Sequence, residues 1–191
     1  MENWVIVLIS NEPYINKALN SIKEIRSVGQ WVDDIVFYLD AGCFIHDSLE
    51  RFKKSCKPTN CIYAHSDAYP YINNWYLKRQ FVIDIFDNID DKNDFINNYS
   101  MYFDKDYFQS TMFIYDTKII EDDTVEKLFK LNEKYPIAFR MDQGIFNLYF
   151  NCDKNLWKQI PIKDDKGFLY DFNKRPGYQH KDYAILKRYN I

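Results

Sequence analysis

Apolar positions along this chain fall into two kinds of pattern. Residues 4–9 form a continuous run rich in β-branched side chains, which predicts a buried strand. Ser10, Asn11, Glu12 and Pro13 break it, and Pro13 suits a first helical turn. Ile15, Ala18, Leu19, Ile22 and Ile25 then recur at helical spacing as far as Gly29, a suitable C-terminal stop. Residues 34–40 give a second buried strand, and a strand–helix–strand unit of this kind builds parallel sheets. The same reading predicts a short helix over 48–54, a strand over 60–64, a helix over 75–86 and a strand over 108–115. A helix over 124–135, another opening at Asp142, and short strands over 157–162 and 168–172 follow. Residues 87–98 are acidic, Asn-rich and poor in aliphatics, which predicts an exposed loop. Residues 181–188 read as a solvated terminal segment. No repeat or linker divides the chain, so one α/β domain over 1–191 is expected, with a mostly parallel central sheet flanked by helices.

In open α/β sheets, ligands bind at the carboxyl ends of the strands. Ser10 and Asn11, Asp40, and His65 with Ser66 and Asp67 all fall at such ends. The stretch 141–150 is the most pointed. Ile145, Leu148 and Tyr149 share one side of a helix that Asp142 can cap, which places Gln143 in its first turn beside free backbone N–H groups. A polar pair held there by an aromatic helix suits a polyhydroxyl or phosphorylated ligand. An ordinary capped amphipathic helix accounts for the same residues and is the simpler account of them taken alone.

Composition narrows the classes. With 47% apolar and 18% aromatic residues, the 191-residue chain has enough apolar surface for a core. A net charge of −3 argues against nucleic acid as a partner, because phosphate binding needs clustered Lys and Arg. Cys43, Cys56, Cys61 and Cys152 show no C-x-x-C pairing, Cys43 and Cys61 read as small core residues, and a reducing compartment is expected. The first run is too short to cross a membrane and has no basic leader, so a cytoplasmic protein is expected.

Taken together the motifs resemble GT-A fold nucleotide-sugar glycosyltransferases, in particular the glycogenin-like family 8 and its relatives in large DNA viruses and bacteria. Val7-Leu-Ile-Ser-Asn-Glu-Pro-Tyr14 is similar to the family's first strand and uracil-contacting loop. Phe37-Tyr-Leu-Asp-Ala-Gly42 resembles the strand that ends in the D-x-D metal motif. Tyr107-Phe-Gln-Ser-Thr-Met-Phe-Ile-Tyr-Asp116 resembles the strand that reads F-N-S-G or F-Q-S, and Arg140-Met-Asp-Gln-Gly-Ile-Phe-Asn147 resembles the D-Q motif. Ala64-His-Ser-Asp-Ala-Tyr-Pro70 is similar to the segment downstream of the metal motif.

The resemblance implies a GT-A-like domain, shortened relative to the family. Its reaction would be metal-assisted, retaining transfer from a UDP-sugar to a glycan or protein acceptor. It implies that Asp142 and Gln143 flank the sugar at the reacting carbon. Ser10, Asn11, Tyr14, Asp40, Gln109 and Ser110 would line the donor site, with Lys78 in reach of the diphosphate. Mn²⁺ or Mg²⁺ would be held by Asp40, with Asp67 and His180 as further ligands. In a viral relative the compartment would be the host cytoplasm; a homodimer is compatible.

The departures are equally specific. The metal motif reads Asp40-Ala41-Gly42, without its second carboxylate. The interval before it is short, and the context of His180 does not match the family's C-terminal histidine motif. A non-catalytic GT-A-like protein that binds sugar or a partner is the alternative these departures allow. Asp104-Lys105-Asp106 is formally a D-x-D but reads as a surface loop, and Lys78 reads equally as the polar face of a helix.

Overall fold

A computed structural model describes residues 6–9, 36–40, 43–45, 49, 54–67, 75–138, 141–161, 169–171 and 185–187. The first strand, β1 (Ile6–Ile9), lies parallel to β2 (Val36–Asp40). The next, β3 (Cys43–Ile45), leaves this sheet. Then β4 (Ile62–Ser66) and β5 (Phe108–Tyr115) pair antiparallel, and β5 also pairs antiparallel with β2. A short β6 (Trp157–Gln159) runs parallel to β4. The sheet order is β1-β2-β5-β4-β6, so four of its five strands point one way and β5 alone opposes them. Two C-terminal strands, β7 (Leu169–Asp171) and β8 (Ile185–Lys187), join β3 in a second sheet of order β3-β8-β7. The mixed α/β architecture and the mostly parallel main sheet are those expected from the sequence.

Along β2 the burial alternates with period two. Phe37 and Leu39 are 0% exposed, while Val36, Tyr38 and Asp40 share the less buried face. Tyr38 stacks on Phe113 of β5 with ring centroids 4.4 Å apart. Three helices are described: α1 (Ile89–Tyr99), α2 (Thr124–Lys134) and α3 (Met141–Phe146). The last continues directly into a π-helix over Asn147–Asp153. Ile145 and Leu148 of this long helix pack with Leu77, Phe81, Phe95 and Tyr135, while Tyr149 and Phe150 pack with Ile62, Phe108 and Phe113. The helix is therefore held between two apolar clusters, which is why the run 145–150 is almost wholly apolar.

Three expectations are corrected. Residues 75–86 form two short 3-10 turns, Leu77–Gln80 and Ile83–Ile85, in place of one helix. Their backbone bonds to other segments: Leu77 N–H donates to Lys105 O, Lys78 N–H to Phe103 O and Val82 N–H to Ile137 O. Burial of Leu77 and Phe81 imitates a helical i, i+4 pair. Residues 87–98, expected as a loop, contain most of α1. The Asn88 side chain caps it by accepting from Asp90 N–H at 2.8 Å, Asp90 and Asp91 complement its N-terminus, and Phe95 and Tyr99 anchor it. Two buried aromatics sufficed where aliphatics were few. The terminal segment expected to be solvated contributes β8, and β3 had not been expected at all. The expected helix after Pro13 lies outside the described residues, as does most of the one over 48–54. All four cysteines are buried and none forms a disulfide. Among the described residues no helix is long and apolar enough to cross a membrane.

Candidate functional site

Asp40 ends β2, Asp67 follows the end of β4, and the opposing strand β5 brings its early residues, Phe108 to Ser110, to the same edge of the sheet. Here the pairing of β4 with β5 is irregular. Ala64 faces Phe113, but Ser66 faces Phe108. The helix that starts at Met141 meets this part of β5 with two side-chain amides.

Asn147 donates from Nδ2 to Phe108 O at 2.7 Å, and its Oδ1 accepts from Phe108 N–H at 3.0 Å. One turn earlier, Gln143 Oε1 accepts from Ser110 N–H at 3.1 Å. Residues i and i+4 of a helix lie on one face, and alternate residues of a strand point their N–H groups to one side. Gln143 and Asn147 thus match Ser110 and Phe108 as a neighbouring strand would. Asn147 Nδ2 also donates to Gln143 O at 2.9 Å, inside the helix ladder, and the helix widens to its π form at this residue.

This clamp places Asp142. The backbone N–H groups of Asp142 and Gln143 and the Ser110 hydroxyl lie near its carboxyl and favour the ionised form. Ser110 therefore bonds Gln143 through its N–H and has its hydroxyl beside Asp142. Asp142 remains accessible to solvent. Packing around its carboxyl raises its pKa above the ordinary carboxylate range; those donors oppose the rise, and the field of Asp40 adds to it. Tyr38, below them on β2, is pushed up to about 12 by burial, then by Asp40 and Asp142. The structure thus brings together Asp40, Asp142, Ser110 and Tyr38 from three separate elements.

Gln143 itself is 6% exposed and heavily engaged, because its Nε2 also donates to Gln80 Oε1 at 2.8 Å. Gln80 in turn hydrogen-bonds the Tyr107 hydroxyl, which donates to Asp67 Oδ2 at 2.6 Å. A buried polar chain therefore runs from Ser110 through Gln143, Gln80 and Tyr107 to Asp67. Burial, then Asp67, raises the Tyr107 hydroxyl well above its usual pKa.

Asp67 belongs to a second carboxylate group. Asp106 lies beside it, accepts from the Ser66 hydroxyl at 2.6 Å and from Tyr107 N–H at 2.8 Å, and is raised first by burial. Asp106 thus lies in the loop before β5 but is half-buried, not the exposed residue the sequence suggested. Asp104 is, at 76% side-chain exposure, and its carboxylate holds Lys78 at 2.7 Å. Gln109 is buried beside Ser110 on β5. Ser10, Asn11, Tyr14 and His180 lie outside the described residues. Among the described residues no group of three or more His, Cys, Asp or Glu side chains is placed to hold a metal ion. Sequence reasoning missed Asn147, Gln80, Tyr107 and Tyr38. The spacing of Gln143 and Asn147 on one helical face was the available signal for the first.

No family model matches this chain, and no curated protein does. Solved structures do. One is the galactosyltransferase LgtC in complex with donor and acceptor sugar analogues, with a TM-score of 0.50 at 18% identity over 94% of this chain. An active-site mutant of LgtC gives a TM-score of 0.48 at 18% identity over 94%, and the apo bifunctional glycosyltransferase WbbM gives 0.47 at 14% over 96%. The chain spans 58% of the first structure, 59% of the second and 32% of the third. The likeness to LgtC establishes the architecture: this chain has a shortened fold of the GT-A glycosyltransferase type.

Proposed function

We propose that this protein is a glycosyltransferase that moves a sugar from a UDP-sugar to a glycan or protein acceptor, in the manner of the glycogenin-like enzymes. The observation that carries the reading is the convergence of Asp40, Ser110 and Asp142 at the strand ends of this fold. In the reaction the acceptor oxygen bonds to the anomeric carbon, the bond from that carbon to the diphosphate breaks, and the acceptor proton is released. Asp142 is accessible and has the Ser110 hydroxyl beside it, so it is suited to orient sugar hydroxyls through charge-assisted hydrogen bonds. Gln143 has both ends of its amide committed to Ser110 and Gln80, which assigns it to positioning Asp142 and the strand edge.

A divalent cation, Mn²⁺ or Mg²⁺, suits the hard oxygen donors present. It would be held by Asp40, with diphosphate oxygens completing its shell, and His180 is a further candidate. When bound, such an ion neutralises charge on the departing diphosphate. Asp67 is engaged with Tyr107, which makes it the weaker candidate ligand.

The second reading is a non-catalytic sugar- or partner-binding descendant. It is favoured by Gly42 in the metal motif and by the structural commitment of Gln143. Thermal stabilisation by UDP, with and without Mn²⁺, separates the two. A metal-dependent shift supports the enzyme, a shift with UDP alone favours the binder or a metal-independent enzyme, and no shift removes the transferase reading. UDP release from a panel of UDP-sugars then reads turnover, which Asp142→Ala should abolish without unfolding the protein.

A further inference from the structure

Beside Asp142 the helices α2 and α3 part to leave a cavity of about 570 Å³. Val125, Leu128 and Phe129 line it from α2, and Ile145, Phe146 and Asp142 from α3. Its size lies in the range of small-molecule sites, about 300–1,000 Å³. Asp142 is the one ionisable group among the described residues that line it, and Asn132 adds an amide. Val125 and Phe129 are 61% and 63% exposed, although other apolar residues of α2 pack inward. Four charged side chains of α2 are engaged in ion pairs: Lys127 with Glu121 and Asp123, Lys130 with Glu126, and Lys134 with Asp94. The helix thus presents an uncharged stripe, one turn apart, at the mouth of a cavity whose polar end is the candidate site.

We infer that this cavity binds the apolar part of an amphiphilic acceptor, a hydrocarbon chain or aryl group, whose hydroxyl-bearing end sits at Asp142. The inference rests on the transferase reading and names its acceptor class. Charge complementarity selects the occupant. The Asp142 carboxylate accepts hydrogen bonds from hydroxyl groups, an anionic chain would be repelled by it and by Asp40 beside it, and the apolar walls reward a neutral chain. Asp142 belongs both to the cavity and to the cluster with Asp40 and Ser110, so an acceptor lying here places its hydroxyl at the strand ends.

The test is calorimetric titration of the whole protein with methyl, butyl and octyl β-galactosides below their micelle-forming concentrations. Affinity should rise with chain length, by up to about fourfold for each methylene buried. Phe129→Asp, an exposed position where folding is retained, should lower octyl glycoside affinity at least tenfold, and Val125→Asp should do likewise. Equal affinity for the methyl and octyl compounds overturns the inference, as does undiminished octyl binding in both variants. A dimer that Phe129→Asp dissociates, with no dependence on chain length, would make this face a contact between two copies and also overturn it. UDP titration runs alongside. A UDP response without chain-length dependence removes the cavity assignment alone, and chain-length dependence without a UDP response keeps the cavity and removes the transferase reading.

Discussion

Asn147→Leu tests the placement of the site most directly. Asn147 and Phe108 are both 0% exposed, so water has no ready route to replace the amide. The substitution keeps the side chain's approximate volume and removes the partners of both Phe108 N–H and Phe108 O. A buried backbone group left without a partner costs about 1–3 kcal/mol. Two such groups, partly offset by better apolar packing of leucine, give a loss of about 2–5 kcal/mol, a large share of the roughly 5–15 kcal/mol that holds a domain together. Gln143→Leu strips only Ser110 N–H of its partner, together with the Gln80 contact, and should cost less, about 1–2 kcal/mol. Urea unfolding with an unchanged m-value measures both losses, and hydrogen exchange at the Phe108 amide reports the bond itself. A loss below about 0.5 kcal/mol in Asn147→Leu, with the Phe108 amide still protected, would refute the idea that these bonds dock the helix on β5.

Gly144→Ala should destabilise despite alanine's better helix propensity. Its Cβ would lie 3.0 Å from the Phe81 ring and 3.1 Å from Ala138 Cβ, and Phe81 is wedged against Phe95. Overpacking of about 1–3 kcal/mol exceeds a propensity gain of about 1 kcal/mol, and a raised melting temperature would contradict this. Asp142 has a raised native pKa, so in the window between its ordinary and raised values the folded chain binds more proton than the unfolded one, and stability falls as pH rises through it. Asp142→Asn should therefore gain stability over the wild type from acid to neutral pH while losing any turnover; parallel melting curves across pH would count against the assignment. Burial pushes the Cys56 and Cys152 thiols up to about 12, and Cys43 and Cys61 are buried too. Thiol reagents should modify the native protein slowly and the unfolded protein at once, and a fast native phase would show an exposed thiol.

Much of the fold was legible because local pattern and burial agree. The runs that became β1, β2 and β5 are continuous and β-branched or aromatic, and α2 carries Leu128 and Leu131 at helical spacing. Misreadings arose where a distant segment supplied the partner. Residues 75–86 have helical apolar spacing, yet the N–H groups of Leu77, Lys78 and Val82 are claimed by residues 105, 103 and 137. The helix α1 was hidden because its stability comes from one cap and two aromatics, not from an aliphatic stripe. In the site, Asp142 and Gln143 were visible as a polar pair at a helix start, but their separate tasks were not. A sequence does not record that Gln143 is turned toward Ser110 and Gln80 while Asp142 is left open.

By itself, then, the sequence determined the elements and the polar residues at their ends, since periodicity and turn chemistry act over a few residues. Only the tertiary structure decided which of those ends meet. Asp40, Ser110 and Asp142 lie far apart in the chain, and they converge because β5 runs against β2 and the helix α3 binds the backbone of the early residues of β5. That docking of helix on strand depends on hydrogen bonds 33 and 39 residues apart in the chain, which no local pattern encodes.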